Sequence, residues 1–523
     1  MKRGNFATTK TGLILLVIWL FTASTTVLGD VTLPHIFGSS MVMQRDMVLP
    51  VWGWAEAGEE VTVEFAGQKV QSKADANGNW QVKLAAMKAG GPYEMAINGK
   101  NRINLKDILI GEVWVCSGQS NMAMGVGAAL NGKQEMADAN YPQIRLFQVP
   151  NRTAGQPIQD VDGIWRVCNP EGITHGNWEG FSAAAYYFGR EINKKLNIPV
   201  GLIHTSWGGT RIEPWTPAAG FEMVPTLQKI YQEIQWYDGE YKKAVEQAIV
   251  QFGGWIPAAR KALEKGTPIP VPPVRPEHNM NSYEKPTGLY NAMIAPFVPF
   301  AIRGAIWYQG ESNSLTRDGI TYFDKMKALI GGWRKVWNEG DFPFYFVQIA
   351  PFRYDKAWKD MGPYAEPEIW EAQMASLSIP NTGIAGTMDI SDLDNIHPAN
   401  KQDVGKRLAL WALAKDYGLK DTVYSGPIYK TMSVEGNKIR ISFYHAESGL
   451  ASRDAKPLTW FEISGADKNF VKAEAKIDGN TVLVWSEQVK EPVAVRFGWN
   501  ELAEPNLMNK EGLPALPFRT HQW

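Results

Sequence analysis

The hydrophobic and polar positions along the chain change rhythm three times. From residue 30 to about residue 108, short alternating segments ("MVLPVWGWA", "VTVEFAG", "QVKLA") are divided by turn chemistry such as the Asn77-Gly78 pair. Period-two alternation punctuated in this way predicts a small antiparallel β domain over 30–108. From "ILIGEVWVCSG" onward, apolar stretches alternate with helical patterns. "SAAAYYFGREINKKL", with Ser182 as cap and Pro199 just past its end, precedes the strand-like "VGLIHTSW". "AIRGAIWYQG" precedes "YFDKMKALIGGWRKVW", and "PFYFVQIAPF" and "GIAGTMDI" add further strands. Strand, helix, strand at this spacing predicts the α/β class, a parallel sheet flanked by helices, over residues 109–418. Within it, residues 226–266 read as charged amphipathic helices, and "TPIPVPPVRP" behind them as a stiff connector, so an insertion near the site is expected. A helix ending at Gly418 closes this unit. Short strands such as "KIRISF" and "NTVLVW" then predict a second, sandwich-like antiparallel β domain over 419–523.

At 523 residues the chain is long for one hydrophobic core, and 45% hydrophobic with 20% charged residues is a globular composition. A formal net charge of −1 gives no general attraction for nucleic acid, and no Lys/Arg cluster is interleaved with aromatics, so nucleic acid is not an expected partner. Lys2, Arg3 and Lys10 precede "GLILLVIWLF", an apolar run too short for an ordinary membrane span, and small residues then lead to "VLGD". Residues 1–29 therefore read as a secretory signal cut near Gly29, leaving no stable membrane span and a secreted or periplasmic mature chain. The 21 tryptophans suit stacking on sugar faces and buried β cores equally. Cys116 and Cys168 are able to pair in an oxidising compartment, although Cys116 in the apolar "VWVC" reads better as a buried thiol. Two cysteines make no CxxC-type site and no histidine pair has ligand spacing, so no metal or other cofactor is expected.

The abrupt end of "GEVWVCSGQSNM" directs attention to Ser120, which stands where a strand stops and a helix starts, at the sheet edge where open α/β folds bind ligands. No G-x-S-x-G occurs, so the turn is not the nucleophile elbow of α/β hydrolases. Of seven histidines, His204 lies inside an apolar strand and reads as core, whereas His397 in "DLDNIHPAN" follows a predicted strand, three residues after Asp394. One loop is then able to present both side chains, Asp394 orienting the imidazole and His397 accepting the serine proton. Gly208 and Gly209 in "HTSWGGTRIEPW" offer backbone N–H groups, and Gln309 in "IWYQGESN" offers a side-chain amide, as candidate oxyanion donors. Trp207, Gly209, Arg211, Glu213 and Glu311 lie beside these donors and are the candidate substrate contacts.

"CSGQSNM", "SWGGTRIEPW", "WYQGESN" and "DNIHPANK", in that order, resemble the four signature blocks of the sialate O-acetylesterase family, a branch of the SGNH/GDSL hydrolases related to acetylxylan esterases. "VTLPHIFGSSMVMQRD" and "NLMNKEGLPALPFRT" extend the resemblance over essentially the whole mature chain. It implies a three-layer SGNH domain with Ser120 as nucleophile, and His397 and Asp394 as base and acid. It also implies an oxyanion hole from the Ser120 N–H, the Gly208 N–H and the Gln309 side chain. One departure is Asn395, where some relatives carry Asp two residues before the histidine, which leaves open a Ser-His dyad oriented by a backbone carbonyl. The implied activity is that of a serine-dependent ester hydrolase removing O-acetyl groups, most specifically the 9-O-acetyl of sialic acid, from a sugar or glycan. An acetylxylan esterase and a non-catalytic carbohydrate-binding protein are the competing expectations.

Overall fold

One long strand organises the molecule. The computed structural model describes residues 30–358 and 362–521, so the apolar run near the N-terminus and the expected cleavage point near Gly29 lie outside the described residues. β1 (Arg102–Gly118) changes burial half-way: alternate residues are exposed up to Asp107, and every residue from Ile108 to Gly118 is buried. Its first half pairs antiparallel with Gly90–Asn98, and its second half is the central strand of a parallel sheet. The change of rhythm in the sequence thus marks a change of environment within one strand, and the 108/109 boundary falls inside β1. A strand covered on one face needs alternation; one covered on both needs continuous apolar residues.

The remaining strands of the parallel sheet are β2 (Tyr141–Gln148), β3 (Trp165–Cys168), β4 (Val200–Ser206), β5 (Gly304–Tyr308), β6 (Phe344–Val347) and β7 (Thr382–Ala385). Their order is β7-β6-β5-β1-β4-β2-β3, all parallel except β3, which runs antiparallel to β2. The chain moves to one side of β1 for β2 to β4 and to the other for β5 to β7. The loops after β1, β4 and β5 therefore converge where the winding direction reverses, the usual ligand position in such sheets.

The helices that matter to the site and its support are α1 (Ser120–Ala123), α2 (Ala183–Leu196), α3 (Gln228–Lys265), α4 (Tyr322–Trp337) and α5 (Lys401–Lys415). α2 and α5 cover one face, where Trp114 meets Phe188 and Tyr345 meets Trp411. α4 covers the other, where Trp333 packs on Trp307 and Phe344. Ser182 caps α2 as its sequence predicts, its hydroxyl accepting from the Ala185 N–H at 3.2 Å. The 226–266 insertion is a single 38-residue helix, α3, with only Ile234, Ala248, Ala259 and Ala262 buried. Among the described residues no helix is long and apolar enough to cross a membrane.

Beyond residue 419 two four-stranded antiparallel sheets face each other around Ile441, Ile463, Val484 and Phe497. Arg519 reaches from the last strand to Glu371 with paired bonds of 2.9 and 2.8 Å. Cys116 and Cys168 are both buried and both free.

Gly118 is required where β1 ends. Its φ is +144°, and an added Cβ would stand 2.1 Å from the Tyr308 carbonyl oxygen of β5. Gly118→Ala is expected to destabilise the fold by about 1–3 kcal/mol, the usual scale of overpacking, read as a lower denaturation midpoint in urea.

Candidate active site

Backbone hydrogen bonds stitch the loops together at the sheet edge. The Gln119 N–H donates to the Tyr308 carbonyl at the end of β5 (3.0 Å), and the Trp207 N–H, just after β4, donates to the Gly118 carbonyl (3.2 Å). Ser120 then opens α1, partly buried. Gly208 lies against it, since a Cβ added there would stand 3.3 Å from that of Ser120. Among the described residues the Gly208 N–H donates to no acceptor, and the Ser120 N–H donates to none outside α1. Both are available to a negative oxygen forming beside Ser120. With a single turn of four residues, α1 contributes little macrodipole, so the individual N–H groups carry this role.

His397 reaches the same edge from the loop after β7. Asn121, the residue after Ser120, donates from Nδ2 to the carbonyl of Ile396, the residue before His397, at 3.0 Å. The imidazole packs edge-on against Trp178, with ring centroids 4.9 Å apart. Burial, and then the charge of Lys401, lower its pKa from 6.5 to about 4. At neutral pH the ring is uncharged and has a nitrogen free to accept a proton. His204, by contrast, is a core histidine held between Gln148 and Ser206 (2.6 Å each).

Three sets of expected contacts are not made among the described residues. Asp394 does not bond the imidazole: its exposed carboxylate lies 3.5 Å from Arg353 and 3.4 Å from Lys356. Local turns separate the two side chains, the Asp394 N–H bonding Asp392 Oδ1 and the His397 N–H bonding Asn395 Oδ1. Gln309 is wholly buried, its Nε2 facing Asn313 Oδ1 (2.6 Å), Gln119 Oε1 (3.1 Å) and the Thr210 carbonyl (3.2 Å). Two N–H groups facing three internal acceptors leave no donor for an oxyanion. Glu213 and Glu311 are buried as well, and neither faces a sugar. Glu213 is bound by Lys325 (2.6 Å) and Asn313 (3.1 Å), while Glu311 accepts from Asn121. Burial opposes ionisation of Glu213, but the Lys325 ammonium overrides it and keeps the carboxyl below its usual range.

Other candidates remain on the open side. Gly209 is exposed with φ +74°. The Arg211 side chain is 38% exposed and only loosely held, 3.3 Å from the Glu284 carbonyl and 3.8 Å from Glu213. Trp207 stacks on Tyr283, with centroids 5.4 Å apart and planes 19° from parallel. Tyr283, Trp178, Asn121 and Lys401 escaped the sequence reading. Asn121 and Lys401 stood inside the recognised blocks, adjacent to Ser120 and four residues after His397, and that proximity was the available signal. Tyr283 and Trp178 lie in irregular segments with no periodicity to place them.

All four loops fall within a family model, carbohydrate esterase, sialic acid-specific acetylesterase, which matches residues 110–274 and 271–414. The chain belongs to this family. It is accordingly a carboxylic ester hydrolase, a carbohydrate O-acetylesterase. The sialate O-acetylesterase of Rattus norvegicus is 32% identical over 463 residues, covering 81% of this chain and 80% of the relative. That of Homo sapiens is 31% identical over 460 residues, covering 82% and 78%. A carbohydrate acetylesterase of known structure from Xanthomonas citri is 35% identical, superposes with a TM-score of 0.79, and covers 94% of this chain and all of its own.

Two outcomes follow from this esterase site. A base with a pKa of about 4 is active above that pH and inactive below it, so kcat/KM is expected to hold down to about pH 5 and fall as pH drops through about 4, read from a pH–rate profile. Lys325→Met, which strands the buried Glu213 carboxylate, is expected to cost about 3–5 kcal/mol of stability by denaturant unfolding.

Proposed function

We propose that this enzyme removes O-acetyl groups from sialic acid by an acyl-enzyme mechanism at Ser120, on a three-layer core of the SGNH type. The observation that carries the reading is the Asn121 to Ile396 bond, which brings the neighbours of Ser120 and His397 within hydrogen-bond reach, 3.0 Å apart. His397 takes the Ser120 hydroxyl proton as Oγ attacks the acetyl carbonyl. The carbonyl electrons move to oxygen, where the Ser120 and Gly208 N–H groups receive the charge. Collapse breaks the ester bond, and the sugar alcohol leaves with the proton from His397. Water, deprotonated by the same imidazole, then releases acetate.

The acid is the part of this scheme the geometry does not favour. Asp394 is engaged by Arg353 and Lys356, so we read the site as a Ser-His dyad whose ring is set by Trp178 and by its loop. Sialic acid, the substrate in the names of the rat and human relatives, suits the half-exposed Arg211 beside the Trp207–Tyr283 stack, a cation next to an aromatic platform. Residues 1–29 are read as a secretory signal, which N-terminal sequencing of the exported protein tests by finding a start near Asp30.

The deciding assay is acetate release from O-acetylated sialic acid and from acetylated xylan. Ser120→Ala is expected to lose on the order of 10³-fold or more in turnover. Arg211→Ala is expected to raise KM for the sialate about 10-fold, the scale of one charge-assisted contact, and to leave acetylxylan unchanged. An effect of Arg211→Ala on both substrates, or release that survives Ser120→Ala, overturns the assignment.

A further inference from the structure

We infer that Lys401 and Asn121 are positioning residues that grip the peptide on both sides of His397 and lock the base loop to the nucleophile turn, with Glu311 as their buried anchor. The inference rests on the esterase reading of the site and adds residues that touch no substrate.

Lys401 Nζ donates to the Pro398 carbonyl (2.7 Å) and to Asn121 Oδ1 (2.7 Å). Asn121 Nδ2 donates to the Ile396 carbonyl (3.0 Å) and to Glu311. The carbonyls immediately before and after His397 are thereby held by two side chains, one on the residue following Ser120 and one at the start of α5. Pro398 brings an acceptor and no N–H, which leaves this stretch of the loop short of donors. Asn121 and Lys401 supply donors from within the protein, where water does not reach: both are wholly buried.

Packing alone does not account for a lysine here. A fully buried ammonium is costly, and an apolar residue of similar volume would fill the space at lower cost. What the lysine adds is several hydrogen-bond donors and a positive charge. That charge faces Glu311 across Asn121 and the Tyr308 ring, 5.3 Å from its centroid. Glu311 is buried, and among the described residues its Oε2 has no partner. Burial pulls Lys401 down to about 7 against the attraction of Glu311, and burial raises Glu311. Lys401 is the charged group that acts on His397, lowering its pKa, and Glu311 is the one that acts on Lys401. Below pH 7 the ammonium is protonated, so its loss should ease protonation of His397. A lysine whose contribution was packing alone, with its charge not felt at His397, would leave that equilibrium unmoved.

The experiment uses the full chain with Lys401→Met, Lys401→Arg and the paired Lys401→Met/Glu311→Gln, which leaves no lone buried charge should the single variant fail to fold. Hydrolysis of O-acetylated sialic acid is followed against pH. In parallel, the His397 imidazole is titrated by NMR with labelled histidine, its resonance assigned by its loss in His397→Gln. A kcat about 10- to 100-fold lower with KM within about 2-fold is the signature of a displaced catalytic group. The acid limb and the His397 midpoint are expected to rise together by about one pH unit, with Lys401→Arg restoring the limb towards wild type. A folded variant with wild-type kcat, or one with reduced kcat but an unmoved His397 midpoint, overturns the inference. Should the wild type release no acetate that depends on Ser120, the esterase reading falls; the positioning inference is then decided by NMR of the His397 loop in Lys401→Met, an unmoved midpoint or unchanged loop resonances overturning it, and a moved midpoint with shifted loop resonances that Lys401→Arg restores upholding it.

Discussion

A sheet covered on both faces buries the ends of its own loops, and a polar group there is costly unless it finds a partner within the protein. That requirement governs the active edge. Gln119, Gln309, Asn313, Glu213, Lys325 and Asp318 form one connected set of bonds running from the end of β1 to α4. Each member satisfies the next, and the loops after β1, β4 and β5 are fixed to one another before any substrate arrives. Ser120, Gly208 and Arg211 lie at the rim of this set, where solvent and ligand reach them. The preorganisation that the proposed oxyanion-stabilising role of this edge requires is supplied by polar residues bonded to one another behind it.

The same requirement explains what was legible in the sequence. The alternation of apolar strands and helices, the cap at Ser182 and the placing of Ser120 and His397 at one sheet edge could all be read, because periodicity and strand ends report burial directly. The roles of Gln309, Glu213 and Glu311 could not. Polar residues at the carboxyl ends of strands look alike on paper whether they face a ligand or each other, and only the three-dimensional partners, Asn313, Lys325 and Asn121, separate the two cases. Asp394 is not bonded to the imidazole here for a local reason: a three-residue spacing permits that contact, but Asx-type turns at Asp392 and Asn395 accompany a carboxylate that pairs with Arg353 and Lys356. The 108/109 boundary failed because a single strand serves two environments.

The electrostatics of the base follow from its surroundings. Trp178 and the loop exclude water from part of the His397 ring, and burial is the larger cause of its lowered pKa, with Lys401 second. In the proposed role of base such a ring is a weak proton acceptor, yet it is not blocked by a proton at neutral pH, and its conjugate acid would give the proton up readily to a leaving alkoxide. The uncharged resting ring needs no carboxylate partner for its stability, which fits the pairing of Asp394 with Arg353 and Lys356 instead.

β1 also imposes an order of events on the growing chain. Its first half can pair at once with Gly90–Asn98, a neighbour made just before it, whereas its second half waits for β4 and for β5, the latter nearly two hundred residues further on. Until both exist, the stretch from Glu112 to Gly118 carries two open apolar edges, joined rigidly to a hairpin that is already formed. Contacts of such long sequence separation are slow to close, and open edges of this kind invite pairing with other chains. The strand that leads into Ser120 at the centre of the finished sheet is therefore a segment in need of protection while the chain is being made.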